Sequence, residues 1–459
     1  MKHFDAIVIG SGQAGTPLAK KLALAGKNTA IIEKNVVGGT CINVGCTPTK
    51  AMIASAKAAH AARKAGELGI EIGEVKVNLK KIKERKDHIV SSFRGSSEKG
   101  LESTDGLTLL HGEASFTGVK ELLVKLNDGT EEKMTADLIF INVGATPTIP
   151  TIDGLNEIDY LTSSSILDLE EIPQHLVVIG GNYIGLEFGQ MFSRFGSKVT
   201  ILERSGRIMS REDEDVSEAM TKIFEDEGIE IVTDMKINKI EKSGQITVHI
   251  TQGSETRAID CSHVLIATGR TPQTRALQLQ NCGVAVNDRG YITVDDKLRT
   301  NVDGIFALGD VKGGPAFTHI SYNDYTIVYR NLFEKTNYTT EDRPIPYCMF
   351  TDPQLGRIGI SESEAKKKNL NIKVAKIPMS EVARGIETNE TLGFMKAIVD
   401  AETKQILGAS ILAAQGGEIM SVLEMAMEGG ITYDSIRYCV FAHPTYSESL
   451  NNLFMKIED

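Results

Sequence analysis

A chain of 459 residues, 41% hydrophobic and 24% charged, exceeds one ordinary core and predicts roughly three or four domains. Its formal net charge of −11 argues against nucleic acid or an anionic membrane as the main partner, because both demand a basic face. No apolar run is long enough to span a bilayer, and a strand-like FDAIVIG begins at Phe4 where a secretory leader would stand, so the expected compartment is the cytoplasm.

FDAIVIG predicts a buried parallel strand, and GSGQAG follows it directly. Gly10 allows a tight turn, Gly12 lets a pyrophosphate approach the backbone, and Gly15 lets helix and strand pack closely. The helix starting there aims unpaired N–H groups at phosphate. A second strand, TAIIEK, ends at Glu33, where a carboxylate can accept from ribose hydroxyls. Next comes GGTCINVGCTPTKAMIASA. Of six cysteines (Cys41, Cys46, Cys261, Cys282, Cys348, Cys439) only the first two are close together, too few ligands for a closed zinc site. A redox pair is the better reading in a reducing compartment. Pro48 marks the expected helix start, with Lys50 one step inside, and a cysteine just before that start faces the positive end of the helix. A disulfide closing so short a loop suits a switch better than a staple. The lysine-rich stretch at 79–90 predicts a helix with a solvated face. The strand FINVGATP at 140–147 ends in another glycine turn.

The pattern then repeats. HLVVIGGNYIG and VTILER copy the first strand, loop and acid, and equal numbers of positions separate Gly10 from Glu33 and Gly180 from Glu203. Asn182 replaces the middle glycine; asparagine tolerates left-handed backbone, so the turn is expected to survive, with the approach of a pyrophosphate left open. Glu203 favours an unphosphorylated ribose, hence NADH, whereas Arg204 and Arg207 could hold the 2′-phosphate of NADPH. VLIATGRTP at 264–272 and GIFALGD at 304–310 are further strands ending in glycine turns. These features predict a nucleotide domain at 1–147, a second at 148–270, a central segment at 271–341 and a last domain at 342–459. The last reads as α+β: the hairpin GFMKAIVD and ILGASIL, then a helix whose Met425 and Met427 read as packing residues, in the core or at a subunit contact, rather than as a ligand box. Near the end, FAHPTYSESL supplies His443 as an acid–base group with Glu448 five residues on. Thr445 and Glu448 alternatively read as a capping box for a last helix.

GGTCINVGCTPTK resembles the active-site signature of the class I pyridine nucleotide-disulfide oxidoreductases, and the likeness covers essentially the whole chain in the family's domain order. The resemblance implies an α/β fold with two Rossmann-like domains, for FAD and NAD(P), and a C-terminal α+β dimerisation domain, with 271–341 completing the FAD domain. It implies that Cys46 lies against the flavin and Cys41 exchanges with substrate. Lys50 would pair with Glu187 near the flavin, Tyr183 would cover the nicotinamide pocket, and Asp310 would bind the FAD ribityl chain. FAD contacts are also implied at Gly10, Gly12, Gly15, Glu33, Lys34, Gly39, Thr40, Ala114, Gly144 and Thr318. NAD(P) contacts are implied at Gly180, Ile184, Glu203, Arg204 and Gly269. By the same resemblance His443 and Glu448 reach the disulfide of the other subunit of a homodimer, and no resident metal site is expected.

AFTHISYNDYTIVYRNLF and HPTYSESLNNLF resemble a bacterial mercuric-reductase-like subgroup, in which the acceptor is a metal ion such as Cu(II) or a small disulfide. The ending NNLFMKIED lacks a vicinal cysteine pair, which argues against mercury as the evolved substrate. His443 keeps lipoamide and glutathione open; no arginine cluster stands near the signature to hold the carboxylates of glutathione. A non-catalytic flavin-binding interaction protein is the alternative from another class, opposed by the retention of Cys41, Cys46 and His443.

Overall fold

The computed structural model describes residues 1–341 and 343–458. They form two compact units: Met1–Ala51, Lys83–Thr148 and Gly269–Arg343 in the first, Met52–Ile82, Ile149–Thr268 and Pro344–Asp459 in the second.

In the first unit, Lys2–Ile9 pairs in parallel with Thr29–Glu33 and with Glu131–Ile141, and Ile305–Ala307 extends the sheet in parallel beyond Glu131–Ile141. Leu107–Gly118, Glu121–Leu126 and Glu131–Ile141 complete it as an antiparallel meander. The continuous apolar run Ala6–Ile9 is explained by burial on both faces, the usual state of a parallel strand. Ile7 and Ile9 face one core with Phe116 and Ile139. Ala6 and Val8 face another with Leu18 and Leu22, the inner stripe of the helix Gly15–Leu24. The helix Leu79–Glu102 contains the lysine-rich stretch, and its face is not wholly solvated. Lys86 is buried against Asp87, and Arg85 donates to the Ala51 carbonyl at 2.8 Å.

The second unit holds a five-stranded parallel sheet in the order Glu230–Val232, Lys198–Leu202, His175–Ile179, His263–Ile266, Leu161–Thr162. An antiparallel three-stranded sheet spans Met235–Cys261. Its C-terminal part is an antiparallel sheet of five strands in which the expected hairpin, Phe394–Asp400 with Ile406–Ala413, lies at the centre. The helix Gly416–Glu428 covers one face through Ile419, Met420 and Leu423; Met427 packs partly against that core, while Met425 is exposed. Lys396, 1% exposed in a central strand, is neutralised by Asp213 at 2.8 Å and Asp215 at 2.7 Å, with Glu362 at 3.4 Å. Without those carboxylates a buried ammonium would not be tolerated. No helix among the described residues is long and apolar enough to cross a membrane.

Candidate active site

The cysteine signature folds as two consecutive helices, Gly39–Val44 and Cys46–Lys64, broken at Gly45. A side chain on Gly45 would meet the Thr40 carbonyl at 2.8 Å, which explains the glycine there. Cys41 therefore sits inside a short helix that the sequence does not announce, and Cys46 is the first residue of the long one. The helix begins ahead of the position marked by Pro48. Cys46 Sγ lies 3.3 Å from Thr318 Oγ1, and Thr318 is itself the first residue of the helix Thr318–Phe333. The first residues of two helices thus meet at one sulfur. A hydrogen bond with Cys46, and then burial, push the Cys41 thiol up.

Two residues without a predicted role hold this loop. Asn43 donates to the Val37 and Gly39 carbonyls at 3.0 and 2.9 Å, and its own oxygen accepts from Arg94 Nε at 2.7 Å. The position of Asn43 between the cysteines was the available signal; nothing local points to Arg94.

The first glycine loop fits a dinucleotide. Gly10 has φ +101°, and a Cβ on Gly15 would lie 2.0 Å from the Gly10 carbonyl, so loop and helix touch through backbone alone. Gly12 and Gly39 also meet backbone to backbone. Glu33 accepts from Ser11 N at 3.0 Å and Ser11 Oγ at 2.7 Å with one oxygen, and from Asn35 N at 2.9 Å with the other, which leaves acceptor capacity for a hydroxyl. Asp310 is half-buried, and burial raises its carboxyl despite Arg270, whose Nε stands 3.5 Å away. Among the described residues no hydrogen bond is donated to that carboxylate, so it suits a ligand that brings its own hydroxyls. Of the other positions proposed for FAD, Ala114 is buried in the sheet, Gly144 follows it at φ +69°, Lys50 is half-buried, and Lys34 and Thr40 are exposed.

The second loop repeats the first with one difference. Gly180 has φ +117°, and a Cβ on Gly185 would lie 1.9 Å from the Gly180 carbonyl. Glu203 accepts from Gly181 N and Ser205 N, both at 2.8 Å, the counterparts of Ser11 and Asn35. The expectation of left-handed backbone at Asn182 is corrected: its φ is −108° and ψ 179°, and it serves as the N-cap of Tyr183–Phe195, accepting from Tyr183 N at 3.0 Å. Arg204 is exposed, whereas Arg207 is turned back to donate to the Glu212 carbonyl at 3.1 Å. Glu187 is buried and accepts from Phe350 N at 2.8 Å. Ile184 lies in the first turn of the helix and Gly269 follows the strand His263–Ile266 with φ +129°. Lys50 belongs to the first unit and Glu187 to the second.

His443 is 69% exposed, and its Nδ1 stands 2.9 and 3.1 Å from the two Glu448 oxygens. Both readings of Glu448 hold in part. Its backbone N–H donates to Thr445 Oγ1 at 3.1 Å as a cap requires, while its carboxylate turns to the imidazole. With Nδ1 donating to a carboxylate, Nε2 is left as the acceptor. Among the described residues no group of His, Cys, Asp and Glu is placed to hold a metal ion.

The profile of the pyridine nucleotide-disulphide oxidoreductase family matches residues 4–324, and that of its dimerisation domain matches 345–454. The probable pyridine nucleotide-disulfide oxidoreductase RclA of Escherichia coli strain K12 is 37% identical over 463 residues, 100% of both chains. A mercuric reductase of Bacillus cereus is 35% identical over 448 residues, 97% of this chain and 70% of its own. Among solved structures, the Cu(II) complex of the HOCl-induced flavoprotein disulfide reductase RclA from Escherichia coli matches with a TM-score of 0.92 and 36% identity over 100% of both chains.

Proposed function

The chain belongs to the pyridine nucleotide-disulphide oxidoreductase family and is an FAD- and NAD(P)H-dependent flavin disulfide reductase, and on that footing we propose that its Cys41–Cys46 pair delivers electrons to a small disulfide or a metal ion. The observation that carries this reading is the contact of two thiols at the head of the helix Cys46–Lys64, with Thr318 on the Cys46 sulfur.

FAD, when bound, supplies a two-electron carrier between the nicotinamide and the cysteine pair. Gly10, Gly12, Gly15, Glu33, Asp310 and the residues beside them are the groups we assign to it, with Lys50 near its reactive ring. We assign Gly180, Tyr183, Ile184, Glu203, Arg204 and Gly269 to the nicotinamide cofactor. Cys46, at the two helix heads, is the flavin-facing sulfur, and Cys41 is the exchanging one. His443 Nε2 takes the proton of the Cys41 thiol and returns it to the sulfur that leaves, while Glu448 holds the ring in the required tautomer. That histidine comes from a second copy of the chain. The family's dimerisation domain supports this, as do Tyr438 and Val440, 73% and 95% exposed just ahead of His443. Thiols that must cycle suit a reducing compartment, so we assign the protein to the cytoplasm.

The His443–Glu448 pair favours a disulfide acceptor, because thiol–disulfide exchange needs a proton carrier. The structural relative solved as a Cu(II) complex favours a metal ion. Steady-state turnover against lipoamide, glutathione disulfide, Cu(II), Hg(II) and quinones, for the parent and His443→Ala, separates them. With a disulfide the variant should lose a factor on the order of 10² or more; with Cu(II) as the substrate the two proteins should differ little. Absence of NAD(P)H oxidation with every acceptor would end the proposal.

A further inference from the structure

The two nucleotide loops differ at two linked positions. In the first, the middle position is Gly12 and the residue closing the neighbouring strand is Asn142. In the second, the middle position is Asn182 and the corresponding residue is Ala267. The correspondence is structural: Asn142 N donates to the Ile9 carbonyl at 2.8 Å, and Ala267 N donates to the Ile179 carbonyl at 2.8 Å. Each loop therefore has one asparagine, placed on opposite sides.

Both asparagines do the same local work. The first turn of an α-helix leaves backbone N–H groups without partners. Asn182 caps its own helix. At the first loop the N-cap is Ala14, which offers no side-chain acceptor. There the buried Asn142 amide reaches across: in the amide orientation that satisfies both of its ends, Oδ1 accepts from Gly15 N at 2.9 Å and Nδ2 donates to the Leu308 carbonyl at 3.2 Å. A Cβ on Gly12 would come within 3.0 Å of this amide, one on Gly15 within 2.8 Å and one on Gly309 within 3.0 Å. Three glycines thus leave the room that one asparagine fills. Leu308 and Gly309 lead directly into Asp310.

We propose that Asn142 is a positioning residue of the flavin site, a bridge that ties the head of the helix Gly15–Leu24 to the Leu308–Asp310 turn. It sets the separation between the loop assigned to the pyrophosphate and the carboxylate assigned to the ribityl chain. Ala267 cannot make such a bridge, so the nicotinamide loop has no equivalent. This inference rests on assigning FAD to the first loop.

The test compares flavin retention by the parent, Asn142→Ala and Asn142→Asp. Apoprotein is titrated with FAD and followed by flavin fluorescence, and the KM for the nicotinamide is measured alongside. Asn142→Ala should bind FAD on the order of tenfold more weakly, the loss of two hydrogen bonds partly made good by water. Its nicotinamide KM should stay within about twofold of the parent, since the second loop keeps its own cap. Asn142→Asp keeps the acceptor for Gly15 N but sets a carboxylate against the Leu308 carbonyl, and it should also bind FAD more weakly than the parent. Parent-like retention in both variants would overturn the proposal. So would a variant that stays unfolded in saturating FAD, because a defect confined to the ligand site is compensated by excess ligand. A raised nicotinamide KM with intact flavin binding would show instead that the two loops are assigned the wrong way round.

Discussion

Two backbone N–H groups hold the Glu203 carboxylate in place, and this carboxylate is what a ribose 2′-phosphate would meet. Repulsion at contact distance outweighs what Arg204, exposed and solvated, returns. NADH should therefore be the preferred reductant. Glu203→Gln keeps the shape and removes the charge, and the KM for NADPH should fall by about tenfold with that for NADH nearly unchanged. Equal effects on both would show that Glu203 only shapes the loop. Glu33 and Glu203 were legible in the sequence because each acid ends a strand at the same distance from its first glycine, and repetition turns a weak motif into a strong one. Asn182 misled because substitution for glycine suggests positive φ, whereas the middle position is extended and its amide is used as a cap. Arg94 and Asn142 were invisible for another reason: their partners are brought to them only by the fold.

At the level of elements, the cysteine signature identified a helix and a thiol at its head, but not the separate turn of helix around Cys41. That turn depends on Gly45 and on the Asn43 side chain rather than on periodicity. The strand Phe394–Asp400 poses a similar problem, since its pattern places Lys396 in the core and its partner Asp215 lies 181 positions away. Burial by itself would raise Asp213, but hydrogen bonds from Lys396 and from Ser363 hold it well below the usual carboxylate range, and Asp215 is depressed by Lys376 and Lys396 against the same burial. Groups whose carboxyls are depressed on folding add stability above their unfolded value, about pH 4, and lose that contribution as pH falls below it. The urea midpoint should accordingly drop steeply on acidification. Lys396→Met should cost about 3–5 kcal/mol at neutral pH, because the buried Asp213 is left without its cation while Asp215 keeps only Lys376, and should flatten the acid dependence. An unchanged acid slope in the variant would move the acid-labile groups elsewhere.

For the whole molecule, the internal repeat made two nucleotide domains readable, and His443 and Glu448 follow from the same family likeness. A residue that serves another copy of the chain leaves a particular signature in mixtures. Cys46→Ser and His443→Ala are each expected to be inactive toward disulfides as homodimers. When subunits exchange at random, half the dimers pair an intact cysteine with an intact histidine at one of their two sites, so about a quarter of the parent activity should return. No recovery, with exchange verified by mass, would mean that each chain uses its own histidine.

The bridge made by Asn142 also bears on the order in which the chain matures during synthesis. The nicotinamide loop finds its cap in the very next residue and can close as soon as that stretch leaves the ribosome. The flavin loop, although it comes first, waits for a strand far downstream and then for Leu308, further still. The flavin loop is thus finished later than the nicotinamide loop that follows it, and a nascent chain that stops short of Leu308 should retain its yellow cofactor poorly.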